Sequence, residues 1–459
     1  MDQELRNLRK NTAVIAIANI GSKGITFILA PLYSYFMSTA EYGTMDILST
    51  TISLLFPILC FDIYEATFRY SSDRQHTDRK VLNTSLLVCI PVCVLSLIIM
   101  GISFAVDLNK NFFAGVPFCV CLSGLTSVFA QYLRGKQKIK HFAFSGVVSA
   151  VSLLVFTAVF MIVLKMGLTG WVLSLCISKM LELVYLLLVD NNYQDISLKE
   201  FDRQYLKEFI KYSLPLMPTT IMWWIMNMSD RYVLAGLLGV SATGIYAVAA
   251  KIPGILSVFE NIFYQAWQTT AINKAEDEQR DSIFSVVFQN YMTVMIIGLM
   301  GLLVISKPTI LWFFAGDYRE AWIYLPPLIM GVVVHALGGN LGSLYAVFKN
   351  TKGALISTFL GAIINIALNF LVIPFVGIMG AALTTLLGYF VTLVYRWIDT
   401  KKFVKISINR KETLVLLFFV AAQLTLYYIN GIYSYGLRII LLIAVMFWKR
   451  KLLREIIRR

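Results

Sequence analysis

Apolar residues in this chain run in long unbroken blocks, with neither the alternation of a half-buried strand nor the single stripe of a surface helix. An α-helix needs about 20 apolar residues to cross ~30 Å of hydrocarbon. Read against that length, the blocks predict about fourteen spans: roughly 12–37, 43–68, 81–105, 112–133, 142–164, 168–190, 212–236, 243–271, 283–306, 321–348, 353–374, 377–398, 412–430 and 434–448. The polar gaps are short, and none has room for a soluble domain. The expected fold class is therefore an all-α polytopic membrane protein.

The pattern also carries a repeat. Gly167-Leu-Thr-Gly170 follows the fifth block and Gly377-Ile-Met-Gly380 follows the eleventh. Lys140 precedes Ser145 as Lys352 precedes Ser357, and Ala40-Glu-Tyr-Gly43 is echoed by Ala242-Thr-Gly244. The near-constant offset predicts two parallel six-helix lobes, as in some transporters, with a C-terminal helix pair appended. The expected organisation is an N-terminal lobe over 1–190, a cytoplasmic interfacial linker over 191–211, a second lobe over 212–400, and the helix pair with a basic tail over 401–459. In the linker, Phe201, Tyr205, Phe209 and Tyr212 recur at helical spacing among lysines and arginines, which predicts a linker helix.

Composition agrees with the blocks. Charged residues are 14% and hydrophobic residues 58%, far from the ~25% charged of soluble domains. The net charge of +14 would suit nucleic acid, but its distribution argues otherwise. Thirty-one of the forty Lys and Arg residues fall in the termini and even-numbered gaps, four in odd gaps and five inside spans. The positive-inside rule then places both termini in the cytoplasm, and no nucleic-acid partner is expected. Residues 1–10 are polar and the first apolar block is too long for a signal-peptide core, so it reads as a retained span. Cys60, Cys89, Cys93, Cys119, Cys121 and Cys176 all lie in apolar blocks and read as small hydrophobes; no metal site is expected.

The charges inside spans are the candidate chemistry, because ionisable groups at bilayer depth are costly and usually face a cavity or a partner. Lys23 and Lys251 have no acid at helical spacing and are candidate cavity cations, with Arg231 a third. Asp62, Glu65, Asp230 and Glu260 are candidates for ion coupling. Lys179 and Glu182, three apart, are expected to pair on one helix face. His335 reads first as a satisfied core histidine. Pro215 and Pro218 invite a kink in the seventh span, while Gly361, Ala362, Gly380, Ala381, Ala382 and Gly388 permit close helix packing. No enzyme constellation stands out: the outer loops are too short for the paired carboxylates of a membrane glycosyltransferase or the large loop of a polymerase. No Walker A sequence is present, and no cofactor is expected.

The run Tyr212-Ser-Leu-Pro-Leu-Met-Pro218, Asn227-Met-Ser-Asp-Arg-Tyr232 and Gly244-Ile-Tyr-Ala-Val-Ala-Ala-Lys251-Ile resembles the start of the second half of bacterial polysaccharide-export flippases of the Wzx type. Asn19-Ile-Gly-Ser-Lys23, Pro31-Leu-Tyr33 and Glu41-Tyr-Gly43 resemble their first span pair, and Gln131-Tyr-Leu-Arg-Gly-Lys136 their loop after span four. The likeness covers roughly residues 10–400. Fourteen spans departs from the commonest twelve and matches relatives that flip peptidoglycan precursor. The resemblance implies two lobes around a central cavity that opens alternately inward and outward in the bacterial inner membrane. It implies transport of undecaprenyl-pyrophosphate-linked oligosaccharide to the periplasmic leaflet, for O-antigen, capsule or exopolysaccharide. A proton or sodium ion would couple the cycle, and polysaccharide-assembly proteins are possible partners. On that view Lys23, Lys251 and Arg231 contact the anion. The alternatives are a cation-coupled drug antiporter of the MATE type, a peptidoglycan-precursor flippase, and a membrane glycosyltransferase or polymerase.

Overall fold

The chain, seen in a computed structural model, is described over residues 21–73, 77–105, 111–274, 277–348 and 350–458. Among these residues there are helices and turns and no strand, as expected where hydrocarbon offers the backbone no other partner. The start of the first expected span (residues 12–20), Arg74, Lys110 and Lys349 lie outside the described residues. The chain divides into two compact units, 1–224 and 225–459.

In the first unit α1 covers residues 21–36. It is followed by α2 (Thr39–Leu59), α3 (Ile63–Ser71), α4 (Asp78–Ala105), α5 (Asn111–Gly135), α6 (Ile139–Thr157), α7 (Gly167–Leu188) and α8 (Arg203–Ser213). A capping box fixes where α2 begins: the Glu41 amide donates to Ser38 Oγ and the Ser38 amide to Glu41 Oε2 at 2.9 Å. α5 is the hub, packed by α2, α3, α4 and α7. All six cysteines sit in this unit as free thiols, and they approach in pairs. The Sγ atoms of Cys119 and Cys176 are 3.0 Å apart, those of Cys93 and Cys121 2.7 Å, and those of Cys60 and Cys89 3.9 Å.

The linker is strapped down on this unit. After two short 3₁₀ turns, Asp202 caps α8, its Oδ1 accepting from the amides of Gln204 and Tyr205. Asp195 takes Arg79 at 3.0 Å and the Tyr132 hydroxyl at 3.0 Å, Lys80 reaches Asp202 at 3.1 Å, and Lys138 pairs with Asp190. Phe209 is fully buried and stacks on Tyr70 of α3 at 4.6 Å. Several basic residues that the sequence tally leaves as free loop charges are thus occupied in holding the linker. Lys179 and Glu182 pair at 2.7 Å.

α9 (Met217–Leu238) crosses the division. The second unit continues with α10 (Val240–Lys251), α11 (Gly254–Asn273), α12 (Arg280–Phe313), α13 (Leu325–Val347), α14 (Thr351–Val376), α15 (Ile378–Asp399), α16 (Arg410–Tyr428), α17 (Ile432–Trp448) and α18 (Arg450–Arg458). α15 is its hub, packed by α13 and α14, and the α16–α17 hairpin lies against α12.

Among the described residues, ten helices are long and apolar enough to cross a membrane, or eleven if the bent pair α10–α11 is one span, against the fourteen expected over the whole chain. Two of the expected continuous spans are broken. The second is interrupted at 60–62, and the eighth bends by 48° between Lys251 and Gly254. α17, with 17 residues, is shorter than a full span. Block length alone does not register such breaks, although Asp62 stands at the first and Lys251 with Pro253-Gly254 at the second.

The two glycine pairs of the repeat adopt matching roles. Gly167 opens α7 at φ +53° and Gly377 precedes α15 at φ +67°, a region L side chains avoid. A Cβ on Gly170 would meet Phe160 at 3.1 Å, and one on Gly380 would meet the Ile373 backbone at 3.1 Å. In each unit the first glycine makes the turn and the second lets the new helix press on the segment just before it.

Candidate functional site

A buried polar cluster lies in the second unit, where α9 turns Asn227, Asp230 and Arg231 toward α10, α14 and α15. These positions are three and four apart, so one helix face carries them. Asp230 and Arg231 are buried, at 2% and 8% exposure. Arg231 Nη1 donates to Asp230 Oδ1 at 2.9 Å and to the Asn227 carbonyl at 2.8 Å. The other carboxylate oxygen, Oδ2, accepts from the Tyr246 hydroxyl and from Thr385 Oγ1 at 3.3 Å. Each of these partners donates to the carboxylate, which is what a buried acceptor group requires.

Carboxamides extend the cluster. Asn365 Nδ2 donates to Thr385 Oγ1 at 3.4 Å, Asn369 Nδ2 to Asn365 Oδ1 at 3.3 Å, and Thr384 to Asn369. On the other side the Tyr389 hydroxyl donates to Asn227 Oδ1 at 2.7 Å, and the Tyr389 ring meets His335 edge-on at 4.8 Å. His335 Nδ1 lies 2.8 Å from Glu260 Oε1. A contiguous series of polar groups therefore joins Glu260 on α11 to Asp230 on α9. Buried carboxylates ringed by hydroxyl and carboxamide oxygens can take a proton or a small cation in exchange for existing partners. No group of three or more His, Cys, Asp or Glu suited to a metal occurs among the described residues.

A second cationic point lies nearby on α15. Arg396 is 4% exposed. Its Nε donates to Ser357 Oγ at 3.0 Å, Nη1 to the Gly338 carbonyl at 2.9 Å and Nη2 to Thr358 Oγ1 at 3.1 Å. In sequence Arg396 stands two residues before the end of the expected span 377–398 and is counted there with the cytoplasmic charges that follow it, whereas the structure buries it among α13, α14 and α15.

The remaining candidates are spread out. Lys251 is half-buried at the last residue of α10, at the bend into α11. The C-terminal end of a helix favours a cation. In the first unit Lys23 is exposed on α1. Asp62 is fully buried at the break between α2 and α3, where Phe61 and Asp62 both take positive φ. Two consecutive non-glycine residues in that region are strained. Thr220 Oγ1 donates to Asp62 Oδ2 at 2.8 Å. Glu65 follows in the first turn of α3, half-buried. The structure thus joins Asp230, Arg231 and Glu260 through shared partners, sets Asp62 and Glu65 together at a helix break, and leaves Lys23 in the first unit and Lys251 in the second. Sequence reasoning missed Asn227, Asn365, Asn369, Thr385, Tyr389 and Arg396. Asn365 and Asn369, four apart in an otherwise apolar span, were the available signal.

Comparison with known proteins agrees with this architecture. The chain is 20% identical over 413 residues to a probable low-salt glycan biosynthesis flippase, Agl15, of Haloferax volcanii, covering 88% of this chain and 86% of that protein. It is 21% identical over 407 residues to an uncharacterised membrane protein of Methanocaldococcus jannaschii, covering 83% and 95%. Its fold matches lipid II flippase MurJ in an inward closed conformation, with a TM-score of 0.68 and 14% identity over 96% of this chain and all of that one. A Vibrio cholerae MATE transporter matches with a TM-score of 0.62 and 12% identity, over 86% and 96%. Residues 8–268 match the family described as polysaccharide biosynthesis protein; the chain is a multi-pass membrane member of that family.

Proposed function

We propose that this protein is a flippase that carries an undecaprenyl-pyrophosphate-linked oligosaccharide from the cytoplasmic to the periplasmic leaflet of a bacterial inner membrane by alternating access. It is a transporter rather than an enzyme. The observation that carries the reading is the family match over residues 8–268, on a fold similar to that of a lipid II flippase. Lys23 and Lys251 are the proposed contacts for the pyrophosphate. Arg231, already paired with Asp230, offers the anion only what that pairing leaves. Asp230 and Glu260, with Asp62 and Glu65, are the proposed sites where a proton or sodium ion couples to the cycle. Polysaccharide-assembly proteins are the proposed partners.

The decisive experiment follows lipid-linked oligosaccharide in cells lacking the protein. Accumulation on the cytoplasmic leaflet with loss of surface glycan is the expected result. Unchanged glycan with greater sensitivity to cationic drugs would point to a MATE-like antiporter instead. In complemented cells, Lys23→Ala and Lys251→Ala are each expected to lower surface glycan while protein still reaches the membrane. Normal export in both variants would remove the two lysines from the substrate path.

A further inference from the structure

The positive charge of this protein is concentrated at one end of the chain. Residues 401–459 carry twelve of the forty Lys and Arg residues against two acids, so +10 of the net +14 resides in the last 59 residues. Much of it gathers at one end of the α16–α17 hairpin. Lys449 pairs with Glu412 at 2.5 Å, which sets the end of α17 beside the start of α16. Arg410, Lys411, Arg450, Lys451 and Arg454 are exposed around that point.

α18 continues from there as a separate helix packed against α17. Its sequence is Arg-Lys-Leu-Leu-Arg-Glu-Ile-Ile-Arg. At 100° per residue the apolar positions 452 and 453 fall on the side opposite the basic positions 450, 451 and 454. The junction is aromatic: Phe447 and Trp448 are exposed, Arg450 lies 4.5 Å over the Phe447 ring, and Lys449 lies 4.2 Å over the Trp448 ring. An exposed tryptophan flanked by cations at the end of an apolar helix is the composition of a membrane–water interface. Length points the same way. The 17 residues of α17 rise about 25 Å at 1.5 Å each, short of ~30 Å of hydrocarbon. A short α17 leaves its end near the headgroups, where an amphipathic helix such as α18 lies flat with its apolar side inward.

We propose that α18 is an interfacial anchor that docks on anionic phospholipid headgroups, with Arg450, Lys451 and Arg454 facing the phosphates. Its apolar side enters the acyl boundary beside Trp448. An acidic protein would satisfy the charges but would leave the aromatic junction and the apolar side without a partner.

Hydrogen exchange of the full chain in nanodiscs tests this. Discs of phosphatidylcholine alone are compared with discs containing phosphatidylglycerol. The α18 amides are expected to exchange roughly tenfold more slowly in the anionic discs. High salt should abolish the difference, and so should the triple variant R450Q/K451Q/R454Q. The amides of α16 and α17 serve as the folding control and should not change. Equal exchange in both lipids, or protection that survives the triple variant, would overturn the proposal. Protection seen in native membranes but in neither disc would overturn it in favour of a protein partner. None of these readouts depends on transport, so this anchor and the flippase reading stand or fall separately.

Discussion

At the scale of single residues, the Asp230–Arg231 pair is the most exacting feature. Both groups are buried and each is satisfied chiefly by the other and by neutral donors and acceptors. Removing one partner from such a pair costs about 3–5 kcal/mol because the survivor is left charged and unpaired. Asp230→Ala is therefore expected to lower the melting temperature in detergent sharply, whereas Asp230→Ala with Arg231→Met recovers most of the loss. If the double variant is as unstable as the single one, the ion pair is not what the carboxylate supplies. Arg396 poses a related problem with a different solution, since it donates to a carbonyl on α13 and two hydroxyls on α14. Its position next to cytoplasmic lysines hid it, because a charge tally reads neighbours in sequence and the burial comes from α13 and α14.

At the scale of elements, the repeated glycines make the most direct prediction. A methyl group on Gly380 would sit 3.1–3.2 Å from backbone atoms of Val372 and Ile373, which cannot swing aside as a side chain can. Gly380→Ala is expected to cost about 1–3 kcal/mol as overpacking, read as a fall in the thermal midpoint. Gly170→Ala, pressing on Phe160, should do the same in the first unit. The linker helix gives a pH dependence. Lys80 beside Asp202, with the Gln204 and Tyr205 amides, holds the Asp202 carboxyl below its ordinary value. A carboxyl depressed in the folded state contributes stability that is complete above its unfolded value of about 3.9 and is lost as pH falls through the folded one. Helix α8 should accordingly fray first below about pH 4, visible as faster exchange of its amides. Unchanged exchange there would mean that Phe209 alone fixes the helix.

At the scale of the whole molecule, the sequence was legible where bulk hydrophobicity decides the outcome. The expected blocks fall on described helices or broken pairs of helices, since burial in hydrocarbon fixes helix length. The glycine motif 210 residues apart was legible because turn geometry is local. The breaks at 60–62 and 251–254 were not legible from block length, and neither was the polar series from Glu260 to Asp230. That series depends on which helix faces which, and partners such as Tyr389 and Asn227, far apart in the chain, leave no periodic trace. The charge asymmetry makes a prediction at this scale too. A fluorescent protein fused to either terminus should fluoresce, and a periplasmic phosphatase fused there should be inactive, as cytoplasmic ends require. An active phosphatase at one terminus would imply an odd number of crossings.

The clustering of every cysteine in residues 1–224 has an experimental consequence. Residues 225–459 contain no thiol of their own, and five of the six native thiols are buried, with only Cys93 half-buried. A cysteine introduced on the surface of the second lobe would outcompete them for a spin label or fluorophore without any native residue being stripped out. The wild-type background is therefore already close to the one a spectroscopist would engineer, and distances within that lobe through a transport cycle can be measured on an otherwise unaltered protein.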